Sequence, residues 1–258
     1  MIMKFIYILI ITFCFISAQD CSIGYTEINN LCFHQGDLGV IQKFIDNSYA
    51  SNIDLGCVEG DAYCGSPNPY MDDPESWFWK IIDGQEYTFT NGDGIVDPLE
   101  LGIQEWEDGR LKSIMCGAFI YCQLSGSFPE EINTLSELSS LRLELNYLTG
   151  FIPHTLCDLS LNENDNIQFD ISANMLCPPY PECIIEESDF WYQDTLECTD
   201  IGDINQDFMI NIQDIILLVN VIINGNDLNY QEMIANDINA DNQLDILDII
   251  QLLTTILN

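Results

Sequence analysis

The chain has 258 residues, with 42 Asp and Glu against 6 Lys and Arg, a formal net charge of −36 and a sequence pI near 4.1. Such a surface repels nucleic-acid phosphate and anionic lipid, so polyanion binding is excluded as a function class. The 47% of hydrophobic residues separates it from a disordered acidic tail, and two histidines, His34 and His154, are too few for a multi-histidine metal site.

Met1–Gln19 reads as a secretory signal. Lys4 supplies the positive start, Phe5–Ile16 a nearly unbroken apolar run, and Ile16-Ser17-Ala18 a small-residue cleavage site. The run is short for a membrane span, which needs about 20 residues, and polar sequence follows at once. Removal of this segment takes Lys4 and Cys14 and leaves ten cysteines, an even number. Cys21/Cys32, Cys57/Cys64, Cys116/Cys122 and Cys177/Cys183 lie close in sequence, which favours disulfides in an oxidising compartment, although spacing does not reveal connectivity. No Cys-x-x-Cys pair supports zinc.

Three zones follow. Residues 20–104 are rich in Asp, Gly and aromatics, show no clear period, and are expected to form an N-terminal cap. Within them Asn91, Asp93, Asp97 and Glu100 fit positions 3, 5, 9 and 12 of a calcium loop, with Gly94 at position 6 and Val96 at position 8. Position 1 would be Phe89, which offers no oxygen, so the stretch fits a glycine turn as well as a weaker metal site. Trp77, Phe78, Trp79, Tyr87 and Phe89 suit a cap core, and equally a surface that stacks on sugars.

Residues 105–198 carry an internal repeat. Leu124-Ser125-Gly126 returns 24 residues later as Leu148-Thr149-Gly150, and Phe128-Pro129 as Ile152-Pro153. Leu141, Leu143, Asn146 and Leu148 follow L-x-L-x-x-N-x-L; Phe169, Ile171, Asn174 and Leu176 form a looser copy. In the first copy Phe119 and Cys122 take the places of Leu143 and Asn146. Residues 111–176 thus resemble leucine-rich repeats of the L-[ST]-G-x-[IF]-P variety. That resemblance implies short strands on a concave recognition face for a protein or glycan. Leu176-Cys177 to Cys183 looks like a disulfide-closed C-terminal cap.

The last zone, residues 199–258, has no Cys, Lys or Arg. Asp203, Asn205, Asp207, Asn211 and Asp214 place side-chain oxygens at loop positions 1, 3, 5, 9 and 12. Asp237, Asn239, Asp241, Asp245 and Asp248 repeat the pattern 34 residues later. The backbone carbonyls of Met209 and Gln243 sit at position 7. Such all-oxygen loops suit Ca2+, which takes 6–8 oxygens, better than Mg2+, which resists a protein cage. Apolar runs at helical spacing follow both loops, Ile215–Ile223 and Ile249–Leu257, and no matching helix precedes either.

A calcium loop followed by one helix, twice over and with Asp at position 12, resembles a type I dockerin across residues 201–258. The resemblance implies about two bound Ca2+ ions, with a possible third at Asn91–Glu100, and a cohesin-like protein partner. Two positions depart from it. Position 6 is Phe208 in one loop and Asn242 in the other, where positive φ is favoured. Positions 10 and 11 are Ile212-Gln213 and Ile246-Leu247 rather than Ser-Thr pairs.

The resulting expectation is an α+β multidomain protein: a short disulfide-capped leucine-rich-repeat solenoid followed by a small all-α calcium-binding module. It is expected to be secreted or held at the cell surface, without a membrane span or nucleic-acid partner. Its role is calcium-dependent protein interaction without catalysis. No Gly-x-Ser-x-Gly, phosphate loop or zinc motif appears. The alternative is a carbohydrate-binding or glycoside-hydrolase-associated component of a polysaccharide-degrading complex.

Overall fold

The computed structural model describes residues 21–162, 165, 167–184, 192–196, 198, 201–205, 209–224, 228 and 230–257; the expected signal segment lies outside them. The described chain begins with a hairpin, β1 (Tyr25–Ile28) and β2 (Leu31–His34), turned by Asn29 and Asn30 at positive φ. Helix α1 (Gln35–Ser51) follows directly. Asp37, Val40, Ile41, Phe44, Ile45 and Ser48 are its buried residues. That spacing is a helical face inside a zone expected to lack a period. The His34 side chain caps the helix start. The Asp37 carboxylate, wholly buried, accepts from Arg110 Nε (2.8 Å), Arg110 Nη2 (3.0 Å) and the Leu111 N–H (2.9 Å).

Strands β3 (Lys80–Ile82), β4 (Gln85–Tyr87), β5 (Ile103–Glu107) and β6 (Arg110–Met115) come next. Two Asp-Gly pairs, Asp83-Gly84 and Asp108-Gly109, turn at positive φ between β3 and β4 and between β5 and β6. The repeat zone adds β7 (Ser125–Ser127), β8 (Ser140–Arg142), β9 (Tyr147–Phe151), β10 (Phe169–Asp170) and β11 (Met175–Cys177). Two sheets result beside the hairpin. One is mixed, in the order β10-β8-β6-β5-β3-β4; the other is parallel, β11-β9-β7. The mixed sheet draws strands from both sides of Glu105.

Leu141, Leu143, Leu148, Ile171 and Leu176 are buried between these layers. Asn146 donates to the carbonyls of Cys116 (2.7 Å) and Leu143 (2.9 Å) and accepts from the Leu124 N–H (2.9 Å). Asn174 does the same one step on, to Leu143 (2.9 Å) and Ile171 (3.0 Å), accepting from Leu148 N–H (3.0 Å). Gln193 adds a third rung: its amide donates to the Ile171 carbonyl and accepts from the Leu176 N–H. In the first copy Phe119 does not take the place of Leu143. It is 81% exposed, and Ile120 is buried instead. The Cys116–Cys122 disulfide closes a six-residue step there that leaves no room for the regular pattern.

The free edge of the parallel sheet is covered by α1. Ser125 N–H donates to Ser48 Oγ (3.0 Å), and Asn47 Nδ2 donates to the Ser127 carbonyl (2.8 Å). A Cβ on Gly126 would lie 2.5 Å from the Asn47 carbonyl oxygen, so the glycine of Leu124-Ser125-Gly126 admits the helix. Five disulfides join Cys21–Cys32, Cys57–Cys64, Cys116–Cys122, Cys157–Cys183 and Cys177–Cys198. The expected Cys177–Cys183 closure is thus replaced by two longer bridges, because Cys157 and Cys198 are brought beside these residues by the fold.

Three helices complete the chain: α2 (Ile212–Asn224), α3 (Tyr230–Asn236) and α4 (Ile246–Leu257). Leu218 of α2 and Leu252 of α4 are buried where the two helices pack. Helix α3, unexpected from the sequence, precedes the second acidic loop. It packs on β9 and places Ile234 in a cluster with Phe151 and Cys177. The architecture is therefore α/β with parallel and mixed sheets. The α+β multidomain expectation, ending in an all-α module, is corrected. Its repeat strands run parallel, which demands crossover connections, and the terminal helices dock on the parallel sheet through α3. Among the described residues no helix is long and apolar enough to cross a membrane.

Candidate functional site

Three acidic loops share one hydrogen-bonded skeleton. In the last loop, Asp248 at position 12 is wholly buried at the start of α4. Its oxygens accept from the N–H groups of Asn239 (3.2 Å) and Asp245 (2.8 Å), positions 3 and 9. Asp237 at position 1 accepts from Asp241 N–H (3.2 Å) and Asn242 N–H (2.7 Å). Asn239 Oδ1 accepts from Asp241 N–H and Asp241 Oδ1 from Gln243 N–H, so each oxygen side chain folds back over the turn. Asn242 has φ +62°, the conformation expected at position 6.

The preceding loop repeats this clamp. Buried Asp214 accepts from Asn205 N–H (3.2 Å) and Asn211 N–H (2.8 Å), again positions 3 and 9, and from Ile204 N–H (2.9 Å). Asn211 donates to the Met209 carbonyl (2.9 Å), and Asp203 is buried. Asp207 and Phe208 lie outside the described residues.

In the N-terminal loop the position-12 residue is Glu100, also buried. It accepts from Asn91 N–H (3.0 Å) and Asp97 N–H (2.8 Å), once more positions 3 and 9. Asn91 Oδ1 accepts from Asp93 N–H and Asp93 Oδ1 from Ile95 N–H. The missing position-1 carboxylate is supplied from elsewhere in the chain. Asp72 follows the short 3-10 turn Pro69–Met71 and accepts from Gly92 N–H (2.7 Å) and Gly94 N–H (2.6 Å). No signal in the sequence spacing singles out Asp72, because it stands nineteen residues before Asn91. Below the loop, Val96 is buried and its N–H donates to the Tyr49 hydroxyl of α1 (3.0 Å). Lys80, wholly buried, donates to the carbonyls of Phe78 (3.2 Å), Glu100 (3.3 Å) and Gly102 (2.6 Å).

No protein-family model matches this chain, and no curated protein matches it significantly.

The electrostatics of the loops follow from crowding like charges. Burial, opposed by the hydrogen bonds from Asp97 and Asn91 and reinforced by the charges of Asp72 and Asp97, pushes the Glu100 carboxyl up to about 7. Burial, then Asp93 and Asp72, raise Asp97. Asp237 is raised by burial and by Asp248 and Asp241, against the hydrogen bonds it accepts from Asn242 and Asp241. Lys80 is lowered by burial to about 7, with the Glu100 charge opposing. Among the described residues, no three His, Cys, Asp or Glu side chains are drawn into one metal-holding group. The donor set is nonetheless oxygen alone, the acids repel one another, and a hard divalent cation suits both features. Ligands of this type would be Asp203, Asn205, Asp207, the Met209 carbonyl, Asn211 and Asp214. In the last loop they would be Asp237, Asn239, Asp241, the Gln243 carbonyl, Asp245 and Asp248. In the N-terminal loop they would be Asp72, Asn91, Asp93, Asp97 and Glu100.

Proposed function

We propose that the protein is an exported, non-catalytic binding protein organised by Ca2+. The reading rests on one observation above others. Glu100, Asp214 and Asp248, three buried carboxylates, each hold the N–H groups of positions 3 and 9 of an acidic loop. A bound cation would relieve the repulsion that raises Glu100, Asp97 and Asp237, and its affinity would add to stability by mass action. The five disulfides accord with an oxidising compartment.

Helices α2 and α4 are the proposed coupling device. Ile216 is 56% and Ile250 53% exposed at equivalent places 34 residues apart, and Leu217, Ile223, Leu253 and Leu257 are exposed beside them. A duplicated apolar face of this kind suits a protein partner. The resemblance of residues 201–258 to type I dockerins makes a cohesin-like scaffold the proposed one, while the repeat strands offer a second recognition face.

Calorimetric titration of Ca2+ into the decalcified full chain tests the metal. Uptake of two to three ions is expected, and absence of uptake overturns the reading. Capture of a cohesin-type protein by the full chain should require Ca2+ and be lost in the double variant Ile216→Asp, Ile250→Asp. Capture that persists with chelator removes the calcium-dependent docking role.

A further inference from the structure

We propose that Tyr63, Tyr70, Trp77 and Trp79 form a binding strip for a neutral polysaccharide, separate from the calcium loops and from the helical docking face. The rings follow one another in single file. Tyr63 and Tyr70 have centroids 4.7 Å apart, Tyr70 and Phe78 5.7 Å, Phe78 and Trp77 4.8 Å, and Trp77 and Trp79 5.8 Å. Phe78 is the buried anchor. The alternation of an extended segment then turns Trp77 and Trp79 away from the core it fills. Tyr63 is 61% exposed and Trp77 47%. Tyr87 and Phe89, from the same aromatic group in the sequence, pack against the core instead.

The exposed rings are held in place. The Cys57–Cys64 disulfide closes the loop that carries Tyr63, and Asp61 Oδ1 accepts from the Tyr63 N–H (2.9 Å). Tyr70 sits in the turn capped by Asn68, whose side chain donates to the Tyr121 carbonyl (2.8 Å). Its hydroxyl donates to the Glu75 carbonyl (3.4 Å). The Trp79 N–H donates to the Trp77 carbonyl (3.1 Å). Large apolar rings kept rigid in water lose no further freedom on binding, which favours a ligand that stacks.

The chemistry around the strip selects the ligand class. Asp61, Asp73 and Glu75 flank it, and no Lys or Arg occurs from Phe44 to Trp79. Carboxylates accept from hydroxyls, and sugar rings carry apolar faces that lie on aromatic ones. A chain with net charge −36 repels an anionic polymer. A cation would favour a cage of rings converging on one point. Among the described residues, the ring contacts of this group instead form an open file, which matches a chain of successive sugar rings.

Affinity electrophoresis of the full chain through gels containing hydroxyethylcellulose, xyloglucan or polygalacturonate tests the proposal. Retardation is expected in at least one of the two neutral polymers. Trp77→Ala and Tyr63→Ser should each weaken it about tenfold with unchanged melting, since both side chains are exposed. Ile23→Ala, at a fully exposed site outside the strip, should leave it intact. Quenching or a blue shift of tryptophan emission on adding the retarding polymer should vanish in Trp77→Ala. No retardation by either neutral polymer, retardation by polygalacturonate alone, or retardation indifferent to both substitutions would each overturn the proposal.

Discussion

The N-terminal loop and the C-terminal pair put the same backbone clamp on different foundations. In the C-terminal loops every contributor lies within a dozen residues, and the supporting apolar residues Ile210 and Leu244 are only half-buried. The N-terminal loop takes its first carboxylate from Asp72, rests Val96 in the main core, and has the wholly buried Lys80 bonded to its last carbonyl. The contrast teaches that a position in a metal loop is a place in space. A local pattern with a gap, Phe89 at position 1, is completed by a distant side chain. It also separates two responses to metal: the C-terminal pair depends on the ion for cohesion, whereas the N-terminal loop is braced without it.

Removal of Ca2+ should therefore break the symmetry between the two regions. With ligand at a hundred times its Kd, each filled site adds about 2.7 kcal/mol, so a chelator should lower the stability of residues 201–257 most. Hydrogen exchange should show α2 and α4 losing protection while β3, β5, β6 and α1 keep theirs; uniform loss would erase the distinction. Lys80→Met attacks the N-terminal brace. It leaves three carbonyls without their buried donor and should cost about 3 kcal/mol, measured by denaturant unfolding with and without Ca2+.

Asp72→Asn sharpens the comparison at smaller scale. The ion count by calorimetry should fall by one, with a loss of about 1–2 kcal/mol in Ca2+ and little change in chelator, where repulsion with Glu100 and Asp97 is relieved. Phe208→Gly should strengthen the first C-terminal site by about 1 kcal/mol if position 6 takes positive φ there as Asn242 does. The smallest effect on stability is expected for Ile216→Ser, within about 0.5 kcal/mol, because the side chain faces solvent; thermal melting checks it.

Several features were open to reading in the sequence yet are easily passed over. The α1 face recurs at Asp37, Val40, Ile41, Phe44, Ile45 and Ser48, but two of its six members are polar, which hides the period from a count of apolar residues. The Asp-Gly pairs at 83 and 108 are hairpin signals, and both turn hairpins. Helix α3 is short, and its tie to the sheet depends on Ile234 meeting Phe151, a contact that no local pattern encodes. Phe119 shows the opposite failure. Its place in a 24-residue period suggests burial, but the Cys116–Cys122 bridge reshapes that turn and leaves the ring outside.

What the residues alone determined is the local grammar: oxygen side chains spaced along each acidic loop, asparagines set to bond turning backbone, and helical apolar runs after the last two loops. These are decided by backbone periods and by hydrogen bonds spanning a few residues. Only the tertiary structure decided that Asp72 joins Asn91–Glu100, that Cys177 meets Cys198 and Cys183 meets Cys157, and that the strands lie in parallel and mixed sheets under one set of helices. Those choices bring together groups far apart in the chain. They are set by which apolar faces bury one another, and spacing along the sequence carries no record of that.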